Sequence, residues 1–359
     1  MHVRKATFAA LLSMSIGTAA ASNAVIPIEQ VGKAYTQAHR LVDVGQGRRM
    51  NLYCQGQGDI TVVFDSGLSD WSSTWALVQP AVATRTRACS YDRAGMGYSD
   101  ASPRPGSPAN IVEDLHTLLQ RAGISGKRVL VGHSLGGFNM KLYAATYPSE
   151  VAGMVLVDPS EDRTWKRVGV AMEARFGSKL IAEREADDSK SLAEANAQFA
   201  ECVRAAQAGT LAATTAMYAE CTDPPRAQLG PDILAERSVL QPRLPYQSAQ
   251  ASELLHSVYG PDTTPDAHYA GLFDKPRALG DLPLIVLTAG LFDMSPPFGE
   301  LNYYSWTALH AQTAAMSSRG TQRMVPRSRH NIQVEQPQAI VDAVGEVLDM
   351  IATPAATAP

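Results

Sequence analysis

The chain has 359 residues, 45% of them hydrophobic and 18% charged, enough apolar sequence to bury a large core and too much for a disordered or fibrous chain. Lys and Arg total 31 against 35 Asp and Glu, a net charge of -4, and no dense basic run occurs. Nucleic acid, whose binding depends on neutralising a row of phosphates, is therefore not an expected partner.

The N-terminus opens with basic residues His2, Arg4 and Lys5, continues through the apolar stretch ATFAALLSMSIGTAA, and offers small-residue cleavage sites after Ala21 or Ala24. Basic, apolar and small residues in that order predict an export signal over residues 1–24. Thr7, Ser13, Ser15 and Thr18 interrupt the apolar stretch, which falls short of the ~20 residues a membrane span needs, so no stable anchor is expected. The expected destination is a periplasm or the cell exterior, an oxidising setting that suits four cysteines. Of the possible pairings, Cys54 with Cys89 and Cys202 with Cys221 is favoured: the first two each sit in a β-like run, and the second two are close in sequence. Buried free thiols remain the alternative. With neither a CxxC motif nor a close histidine pair among the eight histidines, no metal or other cofactor is expected.

Further along, TVVFDSG, RACSYDRAG, RVLVGHS, VAGMVLVDP and PLIVLTAG are short apolar runs bounded by turn residues. Such runs predict strands covered on both faces, the habit of a parallel sheet between helices. Between them, SPANIVEDLHTLLQRAGI predicts a helix capped by Ser107, with Pro108 at its first position and Ile111, Leu115, Leu118 and Leu119 on one face. The alternation argues for a doubly wound α/β sheet. Over residues 160–280 the strand signals give way to helical stretches rich in Ala, Glu and Gln, after which PLIVLTAG resumes. We therefore expect a helical cap at 160–280, inserted into a core made of residues 25–159 and 281–352, with a frayed tail at 353–359.

The run Gly132-His133-Ser134-Leu135-Gly136 matches G-x-S-x-G, following the strand RVLV and opening the helical pattern LGGFNMKLYAATY. A nucleophile on so sharp a turn has strained backbone angles, and small residues two positions either side let helix and strand approach. A glycine-rich turn with an incidental serine would look similar; a phosphate cradle would not, because the G-x-x-x-x-G-K-[ST] pattern is missing.

On these residues the chain resembles the α/β-hydrolase superfamily, in its serine-hydrolase branch with a helical cap. DSGLSDWSSTW is similar to the family's segment after the third strand, with Asp65 where a histidine is usual, and YDRAGMGYSD is similar to its D-R-x-G-x-G-x-S segment. The resemblance implies an α/β-hydrolase fold and an oxyanion hole built from the backbone N–H groups of Leu68 and Leu135. It also places a base near the C-terminus, where RMVPRSRHNIQVEQP offers His330, with Glu335 and Pro337 fitting the frequent H-x-x-x-x-E-x-P pattern. His133 adjoins Ser134 but should point away, and His256 and His268 lie in the cap. For the acid, PLIVLTAGLFDMS puts Asp293 after the seventh strand, giving the order Ser134, Asp293, His330; Asp158, at the end of GMVLVDP, is its rival because some relatives place the acid after the sixth strand.

This set of residues implies acyl transfer on a small-molecule ester, with Trp71, Phe138, Phe292, Met294 and Phe298 as candidates for an apolar pocket under the cap. An aminopeptidase, lactonase or carbon-carbon bond hydrolase would use the same triad. A non-catalytic binding protein on the same fold is the reading from another class. Epoxide hydrolases and haloalkane dehalogenases are disfavoured, since their nucleophile is an aspartate where Ser134 stands. Oligomeric state is not legible in the sequence.

Overall fold

The computed structural model describes residues 24–353. Apart from Ala24 and Thr353, the expected export signal and tail lie outside the described residues. Eight strands run along the chain: Arg40–Gly45 (β1), Arg48–Gln55 (β2), Thr61–Asp65 (β3), Arg87–Tyr91 (β4), Arg128–His133 (β5), Val151–Val157 (β6), Leu284–Ala289 (β7) and Gly320–Val325 (β8). They form one sheet in the order β1-β2-β4-β3-β5-β6-β7-β8. The β1-β2 and β2-β4 pairs are antiparallel and the rest parallel.

Strands β3, β5 and β7 are buried at every position, because helices cover both faces. Val63, Leu130, Leu156 and Val286 turn to one core, while Val62, Phe64, Val131, Val155 and Ile285 turn to the other. Each such side chain contributes about 1.5–3 kcal/mol through burial. The edge strand β1 alternates instead, with Val42 and Val44 buried and Leu41 and Asp43 exposed, so no continuous apolar run marks it in the sequence.

Among the described residues the helices of six or more residues are Pro108–Arg121 (α1), Leu135–Thr146 (α2), Thr164–Phe176 (α3), Ser178–Gln207 (α4), Ala216–Cys221 (α5), Gly230–Leu240 (α6), Leu244–Leu255 (α7), Asp266–Phe273 (α8), Gly299–Ala315 (α9) and Pro337–Ala352 (α10). Ser107 caps α1 by accepting from the Asn110 amide, Pro108 opens it, and Ile111, Leu115, Leu118 and Leu119 are all buried. α10 buries Ile340, Val341, Val344 and Val347 on the opposite face of the sheet.

Every helix from α3 to α8 falls between β6 and β7. The long α4 packs on α7, and a Cys202–Cys221 disulfide ties α4 to α5. A buried ionic cluster joins the start of this insertion to the core: Lys141 of α2 lies 2.6 Å from Glu161 and 3.2 Å from Asp162, and Arg167 lies 2.6 Å from Glu161. Removing one partner from such a cluster strands a buried charge and costs about 3–5 kcal/mol. The second disulfide, Cys54–Cys89, joins residues directly opposite each other in β2 and β4. Among the described residues no helix is long and apolar enough to cross a membrane.

The Cys202–Cys221 bond closes a separation of 19 residues. The double substitution Cys202→Ala, Cys221→Ala is expected to lower stability by about 3 kcal/mol through the freed denatured chain. Urea unfolding checks this; an unchanged midpoint would show that the bond adds nothing to the packing of α4 and α5.

Candidate active site

Ser134 sits between β5 and α2 with φ 52° and ψ -122°, a conformation that L residues seldom adopt. Crowding explains both the conformation and its glycines. A Cβ on Gly136 would lie 2.5 Å from the carbonyl oxygens of Asp65 and Ser66, and one on Gly132 would run into the Gly136 carbonyl. The turn is pinned by backbone bonds on either side: the Ser134 amide donates to Val157 O at 3.1 Å, and the Ser160 amide donates to Ser134 O at 2.9 Å.

The next strand end carries a buried carboxylate. Asp158 follows β6 with φ 44°, and its carboxylate is buried. Its Oδ2 lies 2.6 Å from His330 Nδ1, while Oδ1 accepts from the Ala289 amide at 2.9 Å and from Trp306 Nε1 at 3.0 Å. Burial alone would raise its pKa, but the His330 hydrogen bond and positive charge outweigh it and bring the group down to about 2. Asp158 is thus an ionised acceptor that orients the imidazole through Nδ1.

This corrects the expectation for Asp293. That residue is exposed, and its Oδ1 accepts from the Ser295 amide at 2.9 Å, a local turn contact. The Ser295 hydrogen bonds hold its pKa below the usual carboxylate value. Its place in sequence after β7 is right for the acid of this fold, but its side chain is spent on the turn and does not reach His330.

His330 lies on the loop after β8, with 46% of its side chain exposed. The loop is fixed from both sides: Ser328 O accepts the Gly290 and Leu291 amides at 3.0 and 2.9 Å, and Glu335 accepts the Arg329 amide at 2.8 Å. His133 adds a third tie, donating from Nε2 to His330 O at 2.9 Å while its Nδ1 accepts from Gln333 Nε2 at 3.2 Å. Burial, reinforced by the charge of His330, pushes the His133 pKa down to about 3, so its imidazole is neutral and structural.

Leu68, in the loop after β3, and Leu135, the first residue of α2, line one cavity of about 310 Å3 together with Ser134 and His330. N–H groups in the first turn of a helix have no partner within it, which leaves the Leu135 amide free to point at an anion. The loop bearing Leu68 is held by Arg93, which donates to Asp65 Oδ1 at 2.9 Å, Ser66 O at 2.6 Å and Gly67 O at 2.7 Å. The same cavity is walled by Asp70 and by Arg226 of the insertion, paired at 2.7 Å. Asp70 also pairs with Arg237 at 2.9 Å; burial opposes its ionisation, yet the two guanidinium groups hold its pKa down. Asp223, beside both, is pushed up by burial and by Asp70.

The expected aromatic pocket is largely elsewhere. Trp71 and Phe138 are fully buried in separate cores, Met294 is 49% exposed, and Phe298 packs beneath α3 and α9; none lines the cavity of Ser134. Phe292 lines a second, larger cavity of about 690 Å3 with Trp165, Tyr269 and Trp306. The two cavities share Ser257 and Tyr259. Ser160, whose Oγ lies 3.5 Å from Ser134 Oγ, and the residues Asp70, Arg226, Tyr259 and Trp306 went unmarked in the sequence. No spacing rule connects them to the elbow, although Asp158, Ser160 and the neighbouring Glu161 do form a polar burst at the end of an apolar strand. Among the described residues no group of three or more His, Cys, Asp or Glu side chains is arranged to hold a metal ion.

Residues 60–210 match the family model of the α/β-hydrolase fold. An uncharacterised protein of Schizosaccharomyces pombe is 40% identical over 92 residues, 26% of this chain and 17% of that protein. The 2-(acetamidomethylene)succinate hydrolase of Mesorhizobium japonicum is 32% identical over 149 residues, 41% of this chain and 52% of that enzyme. The chain thus spans only part of the length of these relatives. A thermophilic esterase from Thermogutta terrifontis superposes with a TM-score of 0.54 at 20% identity, covering 88% of this chain and 100% of the esterase.

The neutral, buried His133 makes stability depend on pH. Its pKa is about 6.5 when unfolded and about 3 when folded. Its contribution is therefore complete above about pH 6.5 and is lost as pH falls towards 3, at up to about 1.4 kcal/mol per pH unit. Urea unfolding from pH 7 to pH 4 is expected to show this decline, and His133→Gln to flatten it; parallel profiles for the two proteins would contradict the assignment.

Proposed function

We propose that this chain, which has the α/β-hydrolase fold, is a serine hydrolase cleaving carboxylic esters through an acyl-enzyme. The observation that carries this reading is the 2.6 Å contact between buried Asp158 and His330, at a cavity that also holds Ser134 on its strained turn. With Nδ1–H given to Asp158, His330 keeps Nε2 as the basic nitrogen. That nitrogen takes the Ser134 proton as Oγ attacks the ester carbonyl. The Leu68 and Leu135 N–H groups receive the oxyanion, each worth about 3 kcal/mol in the transition state. His330 then protonates the departing alcohol, and the same base activates water to release the acid.

The family fold and the hydrolases among the similar proteins support the reaction class. Ester preference rests on the low intrinsic barrier of esters and on the single-serine nucleophile. The two disulfides support an oxidising location, and with the basic-apolar-small N-terminal order they lead us to infer an exported enzyme.

A fluorophosphonate is expected to label Ser134, and a p-nitrophenyl ester series from acetate to palmitate to be hydrolysed by the wild type and not by Ser134→Ala. Folded protein that neither reacts nor hydrolyses would overturn the proposal.

The two carboxylates separate cleanly. Asp158→Asn is expected to lower kcat by about 10³–10⁴-fold, because the imidazole loses its fixed tautomer, whereas Asp293→Asn stays within about threefold. Steady-state kinetics on one ester decides between them, and the reverse ranking would restore Asp293 to the triad.

A further inference from the structure

We propose that the catalytic cavity selects half-esters of short dicarboxylic acids, with Arg226 binding the free carboxylate of the acyl group; this rests on the serine-hydrolase reading above. Arg226 lies on the segment between α5 and α6 and lines the same cavity as Ser134, His330 and Leu68. Its Nη1 donates to Asp70 Oδ2 at 2.7 Å, and its Nη2 lies 3.6 Å from Asp223 Oδ2, too far for a hydrogen bond. Among the described residues no acceptor takes the Nε–H or Nη2–H groups. A guanidinium has five N–H donors in a planar fork that matches a carboxylate, so this one has donors to spare at a cavity wall.

Asp70 does not cancel the attraction. Its other oxygen lies 2.9 Å from Arg237, whose guanidinium is buried over the Trp71 ring at 4.2 Å and lines no part of the cavity. Asp70 and Asp223 are thus matched by two arginines, and an entering anion meets no excess negative charge. His133 is neutral there, and burial pushes the Tyr259 phenol up, so that it too is neutral; His330 is the other titratable lining group.

Size places the anion on the acyl side. A compact cavity of about 310 Å3 is only about 8 Å across. A three-methylene spacer sets a carboxylate about 5 Å from the scissile carbonyl, within that span. The acyl group stays attached to Ser134 inside this space, whereas the alcohol has the larger cavity beyond Ser257 and Tyr259 into which to leave.

The test compares mono-4-nitrophenyl glutarate with its methyl ester, the same chain with the charge capped. Wild type is expected to favour the free acid by at least about tenfold in kcat/KM, Arg226→Gln to bring that ratio to about one, and Arg226→Lys to recover part of it. The ratio is read within each protein, so general damage to the site cancels. A wild-type ratio near one, or a ratio that survives in Arg226→Gln, overturns the proposal. If neither compound is hydrolysed, the serine-hydrolase reading is what has failed, and calorimetric titration with glutarate decides the anion site by itself: binding lost in Arg226→Gln supports it, and no binding to wild type overturns it.

Discussion

One guanidinium holds the sheet, the loop that bears Leu68 and the helical insertion in a fixed relation. Arg93, buried after β4, forms a two-point contact with Glu253 of α7 at 2.6 and 2.8 Å and reaches Asp65 at the end of β3. Its remaining bonds go to the carbonyls of Ser66 and Gly67, which fixes the backbone leading into Leu68. A lysine has neither the planar fork nor enough directed donors to satisfy two carboxylates and two carbonyls at once. Asp65, standing where a histidine is usual, is explained by the same contact and by Asn139 of α2, which donates to its second oxygen at 2.9 Å. Burial raises the pKa of Glu253 above its usual value, and the charge and hydrogen bonds of Arg93 oppose that rise.

Two residues of the candidate site occupy strained backbone. Ser134 and Asp158, on neighbouring parallel strands, both have positive φ, a conformation costing on the order of 1–3 kcal/mol each. The strain persists because the sheet over-determines it: Asp158 N donates to Leu287 O at 2.7 Å, and Ser134 exchanges backbone bonds with the Val157 and Ser160 segment. Holding Asp158 and Ser134 on rigid strand ends leaves His330, of the three, on a loop. That loop is tied down by His133, Glu335 and the Ser328 carbonyl.

How much of this was legible in the sequence varies with the range of the interaction. Ser134 and its glycines were legible because their spacing on a strand-to-helix turn is itself a local pattern, even though the crowding at Gly136 comes from the distant carbonyls of Asp65 and Ser66. His330 was legible from its loop and from Glu335, whose role is a contact with the Arg329 amide nearby in sequence. Which carboxylate meets His330 was not: Asp158 and Asp293 both follow apolar strands, and the choice between them depends on whether a side chain turns inward to meet Ala289 N and Trp306 or is captured by its own turn at Ser295. Likewise Trp71 and Phe138 flank the motifs in sequence, yet tertiary packing buries both side chains in separate cores away from the cavity of Ser134.

The sequence by itself determined the sheet-and-helix class, the central strands, the sharp turn at Ser134 and the helical character of residues 160–280, because these follow from periodicity and local residue patterns. Only the tertiary structure decided which carboxylate orients His330, that Arg93 joins sheet to insertion, and that Arg226 reaches the cavity of Ser134. Those arrangements bring together residues from 92 to 172 positions apart along the chain. Their geometry is set by how strands and helices pack, which no local pattern of residues records.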